Sequence, residues 1–349
     1  MVETEITRRD IRKLKLDELK EFFVQKGDKA FRAQQVYEWL WMKSAKSFDQ
    51  MTNISLETRE MLKQHFVINH IKVDNMQRSA DGTIKNAVTL YDGLVVESVL
   101  IPAEKRITAC VSSQVGCSLA CKFCATARLK RQRNLSPDEI YDQVAAIKEQ
   151  AEFFFGRPLT NIVFMGMGEP LLNYANVTAA IEKITSQKGL NMASRRITVS
   201  TVGIAKMIKK MADDNVKFNL AVSLHAALNQ TRSSIMPIND TNSLEELAEA
   251  ITYWYQKTKS KVTYEYVVWK GINDTEEHAR ALLRFCKLVP SKVNLIEYNP
   301  IDDGEFQQAS DDALDMYMDL LEKNGITTRI RKSRGKDIDA ACGQLANKS

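Results

Sequence analysis

The chain has 349 residues, 44% hydrophobic and 27% charged, with 14 Gly and 7 Pro. That length allows one large domain plus a smaller one, and the composition excludes a disordered, collagen-like or polytopic membrane chain. A net charge of +5 permits an anionic partner without demanding one.

Residues 1–65 read as helical, with Leu14, Leu16, Leu19, Phe22 and Phe23, then Val36, Trp39, Leu40 and Met42, at helical spacing. The opening segment lacks the apolar core of a signal peptide, and no run approaches the roughly 18 apolar residues of a spanning helix. A cytoplasmic protein with no membrane association is expected. Residues 66–104 read as a β-hairpin extension: VINHIKV, then AVTLY and LVVESVLI joined through Asp92-Gly93, a turn pair between apolar runs. From 105 to 349 strand-like runs (106–112, 161–165, 196–200, 217–223, 262–268, 292–298, 327–331) alternate with helical patterns. Such alternation builds parallel βα units, and some six of them predict an α/β fold with a partial (β/α)6 barrel. An open doubly wound sheet shares the same local pattern.

Four of the six cysteines lie between 110 and 124. Cys117, Cys121 and Cys124 form a Cys-x3-Cys-x2-Cys triplet just after the first barrel strand. Thiolates at this spacing suit zinc or an iron–sulfur centre. Zinc more often uses two Cys-x2-Cys knuckles, whereas three ligands suit a 4Fe–4S cluster with one iron left open. The triplet resembles that of radical S-adenosylmethionine (SAM) enzymes, in which the open iron chelates SAM. Gly166-Met167-Gly168-Glu169-Pro170 resembles their glycine-rich segment, so Gly168 and Glu169 are expected to bind SAM. Glycines let a backbone approach a ligand, and a carboxylate pairs with an ammonium. Ser200, Ser223, Leu224, His225 and Asn299 end later strands, where a barrel builds its active face; they are candidate cofactor contacts.

Cys286, in RALLRFCKLV, reads as a core residue. Cys342 does not, because its DIDAACGQLA surroundings are polar and loop-like. That segment and CVSSQVGC (110–117) resemble the RlmN/Cfr family of radical SAM RNA methyltransferases, as do FRAQQVYEWLW, FDQMTNIS, MPIND and GINDTEEHA. The wording favours the RlmN branch; residues 125–135 depart from its Gly-containing loop.

The resemblance implies the following chemistry. Cys342 takes a methyl group from one SAM. The reduced cluster cleaves a second SAM to a 5′-deoxyadenosyl radical, which removes hydrogen from the S-methyl. The methylene radical adds to C2 of an adenine, Glu97 accepts the proton, and Cys110 resolves the crosslink through a transient disulfide with Cys342. Implied partners are 23S rRNA before full ribosome assembly, tRNA, and an external electron donor such as flavodoxin or ferredoxin. Residues 1–65 resemble the accessory RNA-recognition domain. A Cfr-type C8 methyltransferase is the near alternative; a non-catalytic iron–sulfur or zinc RNA-binding protein is the alternative of another class. Basic residues at Lys122, Arg128, Lys130, Arg131 and Arg133, at Arg195 and Arg196, and from Arg329 to Lys336 are candidate phosphate contacts.

Overall fold

A computed structural model describes residues 8–301 and 305–347; the first residues of the segment read as lacking a signal peptide lie outside them. In chain order, a short strand β1 (Arg9–Asp10) precedes helices α1 (Leu16–Gln25), α2 (Phe31–Trp41) and α3 (Leu56–His65). These helices bury Leu19, Phe23, Val36 and Leu40 against one another, so the helical spacing marks a genuine packing face, whereas Met42 lies beyond α2 and is exposed. Each such buried side chain contributes roughly 1.5–3 kcal/mol.

The run VINHIKV is not one strand. β2 (Phe66–Val67) pairs with β1 in parallel, and β3 (Lys72–Arg78) begins a second sheet. Between them, Asp10 accepts the Asn69 N–H and Asp142 accepts the Ile71 N–H, so side-chain carboxylates replace the ladder. Strands β4 (Ile84–Thr89) and β5 (Val95–Ala103) form the expected hairpin, turning at Gly93 with φ +80°.

The barrel follows with strands β6 (Arg106–Cys110), the short antiparallel pair β7 (Gln114–Val115) and β8 (Arg133–Asn134), and helix α4 (Pro137–Phe155). Next come β9 (Asn161–Phe164), α5 (Tyr174–Thr185), β10 (Ile197–Thr201), α6 (Ala205–Asp213), β11 (Asn219–Ser223), α7 (Asn229–Ile235) and α8 (Leu244–Thr258). The chain then runs through β12 (Val262–Val267), α9 (Glu276–Cys286), β13 (Ser291–Ile296), α10 (Asp311–Lys323) and β14 (Thr327–Arg331). One ten-stranded sheet has the order β14-β13-β12-β11-β10-β9-β6-β5-β4-β3. Its seven strands from β6 to β14 are parallel, and β5, β4 and β3 continue it antiparallel. β14 and β3 are the two ends, so the barrel is partial and open.

Local sequence sets the helix limits. α4 starts with Ser136, Pro137 and a capping-box Glu139, buries Ile140, Val144 and Ile147 on the sheet, and stops at Gly156 in a left-handed conformation. The N-terminal helices dock on its outer face through Arg12. Arg12 Nη1 donates to Asp142 at 2.7 Å, Nη2 lies 3.4 Å from Asp138 and 3.7 Å from Asp10, and all these side chains are nearly inaccessible. Burial works against the Arg12 charge, but the carboxylates, Asp142 foremost, outweigh it and hold its pKa above the usual range. Among the described residues no helix is long and apolar enough to cross a membrane.

Candidate active site

The carboxyl ends of the barrel strands converge on one cavity of about 170 Å³. Met165 after β9, Ser200 and Thr201 on β10, Ser223 on β11, Glu265 on β12, Ile296 on β13 and Arg331 on β14 all line it. The parallel order makes this inevitable: every strand points its last residues to the same side.

Cys117, Cys121 and Cys124 line the same cavity from the loop after β7, all as free thiols. The loop needs Gly116 at φ +72°, where a Cβ would stand 2.5 Å from the Lys130 carbonyl. Burial pushes the Cys117 thiol up to about 11 and raises Cys121 and Cys124 as well; for Cys121 the charges of Cys124 and Cys117 add to the effect. Three adjacent thiolates therefore call for a positively charged centre, which is the chemistry of an iron–sulfur ligand set. Among the described residues no three His, Cys, Asp or Glu side chains form a group that could hold a single metal ion. A cube is gripped at three separate iron corners, so its thiolates stand further apart than one ion's ligands.

The Gly166–Glu169 segment is packed backbone to backbone. Ser113 and Gln114 both donate to the Met167 carbonyl, and a Cβ on Gly168 (φ +89°) would meet Gln114 Cβ at 2.4 Å. Glu169 is buried beside the cysteines. Its Oε1 accepts the Leu171 N–H and its Oε2 the Val202 N–H, both at 3.0 Å. Burial outweighs these bonds and pushes its carboxyl up to about 7.

Ser200 and Ser223 line the cavity with hydroxyls 3.4 Å apart. Asn299 donates to the Cys342 carbonyl at 3.2 Å, while its buried Oδ1 has no partner. An unpaired buried acceptor beside a cavity fits a polar ligand. His225, at φ +58°, accepts the Val267 N–H on Nδ1 and packs edge-on against Phe123. Burial, helped by the Arg232 charge, pushes its pKa down to about 3, so it is a neutral wall of the cavity. Leu224 is apart: its side chain is in the core, and its N–H donates to the Glu265 carbonyl. Cys286 is buried in the core.

Cys342, from the far end of the chain, lines this cavity too. Cys110 ends β6 close enough to Cys342 for the two sulfur charges to repel, and burial pushes its thiol up to about 12. Glu97 lies on β5, outside the cavity lining and 1% exposed. Its Oε2 accepts the N–H groups of Ala346 and Asn347, at 2.8 and 3.1 Å, and its Oε1 stands 3.5 Å from Lys85 Nζ.

Two roles here differ from the sequence reading: Glu265 had none, and Arg331, read as a phosphate contact in a basic run, is turned inward to Glu265 and Cys342. Arg331 Nη2 donates to Cys342 Sγ at 3.4 Å, and its Nη1 stands 3.4 Å from Glu265 Oε2. A lone Glu in the apolar run VTYEYVV was the available signal for Glu265; Arg331 was hidden inside a basic run. The basic segments also divide. Lys122, Lys130 and Arg131 are exposed, but Arg133 is tied to Glu139 and Asp92, and Lys336 to Glu297. Arg195 and Arg196 precede β10 and stand at its amino end, opposite the cavity, so they do not join a phosphate track at the reacting face.

Comparison with known proteins agrees with this geometry. Residues 9–68 match the ribosomal RNA large subunit methyltransferase N-terminal domain, and residues 111–283 the radical SAM superfamily. A probable dual-specificity RNA methyltransferase RlmN of Christiangramia forsetii is 69% identical over 98% of this chain and 97% of its own length. This chain belongs to the RlmN family. The corresponding protein of Flavobacterium psychrophilum is 68% identical over 99% of both chains. A crystal structure of a radical SAM methyltransferase from Sphaerobacter thermophilus superposes with a TM-score of 0.92 at 37% identity, covering 97% of this chain and all of that one. The chain is thus an RlmN-type radical SAM RNA methyltransferase with the partial-barrel fold of that class, and a non-catalytic RNA-binding role is set aside. Membership of the superfamily implies SAM and a 4Fe–4S cluster, and the thiols, Glu169 and the unpaired Asn299 oxygen fit them.

Proposed function

We propose that this RlmN-family enzyme methylates C2 of adenine in RNA, with Cys342 as the carrier of the one-carbon unit. The target adenosines would be one near the peptidyl-transferase centre of 23S rRNA and the one 3′ to the anticodon in some tRNAs. Both lie outside regular duplex, where removing a base from its stack costs least. The observation supporting this reading is that Cys342, the cysteine triplet and Glu169 line one cavity, with Cys110 beside Cys342.

A carbon between two ring nitrogens is electron-poor and does not attack a sulfonium methyl, so the route must be radical. When bound and reduced, a cluster on Cys117, Cys121 and Cys124 supplies the electron for that chemistry, drawn from a flavodoxin- or ferredoxin-like donor. Gly168 admits SAM to the backbone, Glu169 takes its ammonium, and Asn299, Ser200, Ser223 and His225 complete the binding wall, with Leu224 behind it in the core. Cys342 Sγ, as thiolate, accepts a methyl group and carries it as a thioether. After a hydrogen atom is lost to a SAM-derived carbon radical, the S-bound methylene radical joins adenine C2, leaving RNA tethered to Cys342, and the adduct radical gives up one electron to a one-electron acceptor, which the oxidised cluster would supply. Glu97 takes the proton from C2. Its Oε2 is occupied by the chain after Cys342, so this segment must lift before the carboxylate is free. Cys110 then attacks Cys342 Sγ: the sulfur–sulfur bond forms, the sulfur–carbon bond breaks, and the carbon takes a proton to become the product methyl. Burial keeps Cys110 protonated until that step, which makes its thiol proton available to the departing carbon.

The test is anaerobic reconstitution with SAM, a reductant and protein-free rRNA, followed by nucleoside mass analysis. C2-methyladenosine is expected. C8-methyladenosine would assign the Cfr-type reaction instead, and unmodified RNA would refute both.

A further inference from the structure

We infer that Arg331, held by Glu265, is the residue that positions the Cys342 sulfur as methyl acceptor. The inference rests on the reading above, that Cys342 carries the methyl. Cys342 lines the cavity half-buried, while Cys110 beside it is buried. Cys342 differs from Cys110 in having a guanidinium nitrogen 3.4 Å from its sulfur. Arg331 is itself fixed. Its Nη1 faces Glu265 Oε2 at 3.4 Å, and Glu265 is 3% exposed with its other oxygen taken by Asn294 Nδ2 at 2.8 Å. Nη1 also lies 3.6 Å from Met165 Sδ. The fork geometry lets one guanidinium serve a carboxylate and a sulfur at once, which a lysine ammonium cannot match in the same orientation.

The step served is a polar transfer. Cys342 Sγ gives an electron pair to the SAM methyl carbon, and its proton passes to water. The carbon–sulfonium bond breaks, and its pair stays on the departing neutral thioether. Once Sγ is a thioether it carries no negative charge, and its attraction to Arg331 falls. The same residue that secures the loop for loading thereby loosens its hold for delivery.

The experiment uses cluster-loaded enzyme free of S-methylation, with SAM alone and no RNA or reductant. Peptide mass mapping follows methyl loading on Cys342 at saturating SAM, and iodoacetamide labelling of Cys342 is timed separately without SAM. In Arg331→Met both rates are expected to fall about tenfold or more, with SAM affinity within about twofold of wild type, and Arg331→Lys to recover part of both. Glu265→Gln, which keeps the arginine but loosens it, is expected to slow both about threefold. Wild-type rates in either folded variant would overturn the inference. Lost loading with unchanged iodoacetamide labelling would also overturn it, because Arg331 would then act on SAM rather than on the sulfur. Wild-type enzyme that never loads Cys342 would instead refute the carrier role itself.

Discussion

Glu169 shows how a buried carboxylate couples ligand binding to pH. Its folded pKa of about 7 lies above the ordinary 4.5, so the folded chain holds an extra proton between those values. The buried charge therefore costs the free enzyme stability as pH rises from 4.5 through 7, and a bound ammonium relieves that cost. SAM must displace the proton below pH 7, so its affinity should fall by up to about tenfold per pH unit from 7 to 5. Calorimetry in buffers of different ionisation enthalpy measures the released proton; a flat profile with no release would contradict the pairing. Gly168 is a steric counterpart. In Gly168→Ala the new methyl meets Gln114 in a left-handed backbone, so SAM binding should be lost while the circular dichroism of the folded chain is kept. The triplet and the Gly168-Glu169 pair are legible in sequence because each is compact along the chain. Arg331 and Glu265 are not, because their meaning comes from a tertiary contact between β14, β12 and the terminal loop.

The element that carries Cys342 is a strap tied at several points. Ala125 N–H donates to the Gly343 carbonyl, Thr126 Oγ1 to Leu345, Gln344 Nε2 to Pro300, and Glu97 receives Ala346 and Asn347. The turn before β4 holds its start, through Ser79 and Asp337 and through Asp81 and Gly335. The antiparallel extension therefore anchors both ends of the loop that brings in the second thiol. Glu97→Ala also strands Lys85, 5% exposed, without its counter-charge, and should destabilise the chain by about 3–5 kcal/mol. Glu97→Gln keeps an acceptor and should cost less, while hydrogen exchange at residues 343–347 should rise in both. Unchanged exchange would show that the strap is not latched there. Sequence reveals the β4–β5 hairpin through Asp92-Gly93, but not the strap. Nor does it reveal the break at residues 68–71, because hydrogen bonds to the distant Asp10 and Asp142 decide it.

At the scale of the whole molecule, the alternation of apolar runs and helical patterns made the barrel legible, since each βα unit declares itself locally. The docking of the N-terminal helices was not legible, because it rests on Arg12 meeting Asp142, Asp138 and Asp10 from separate elements. Arg12→Met leaves three buried carboxylates uncompensated. It should lower stability by about 3–5 kcal/mol in denaturant unfolding at neutral pH, with part of the loss recovered at lower pH as the carboxyls protonate. A stability equal to wild type would show that the remaining contacts, among them Tyr141 with Trp41 and Ser44, suffice to dock the two parts. The barrel and the strap together bring Cys342 into a cavity lined by the triplet, and that convergence is most directly tested by trapping. Cys110→Ala enzyme, given SAM, reductant and RNA, should accumulate an RNA adduct that peptide mapping locates on Cys342 through a single methylene. Methylated RNA released without an adduct, or an adduct on another cysteine, would contradict the carrier role of Cys342.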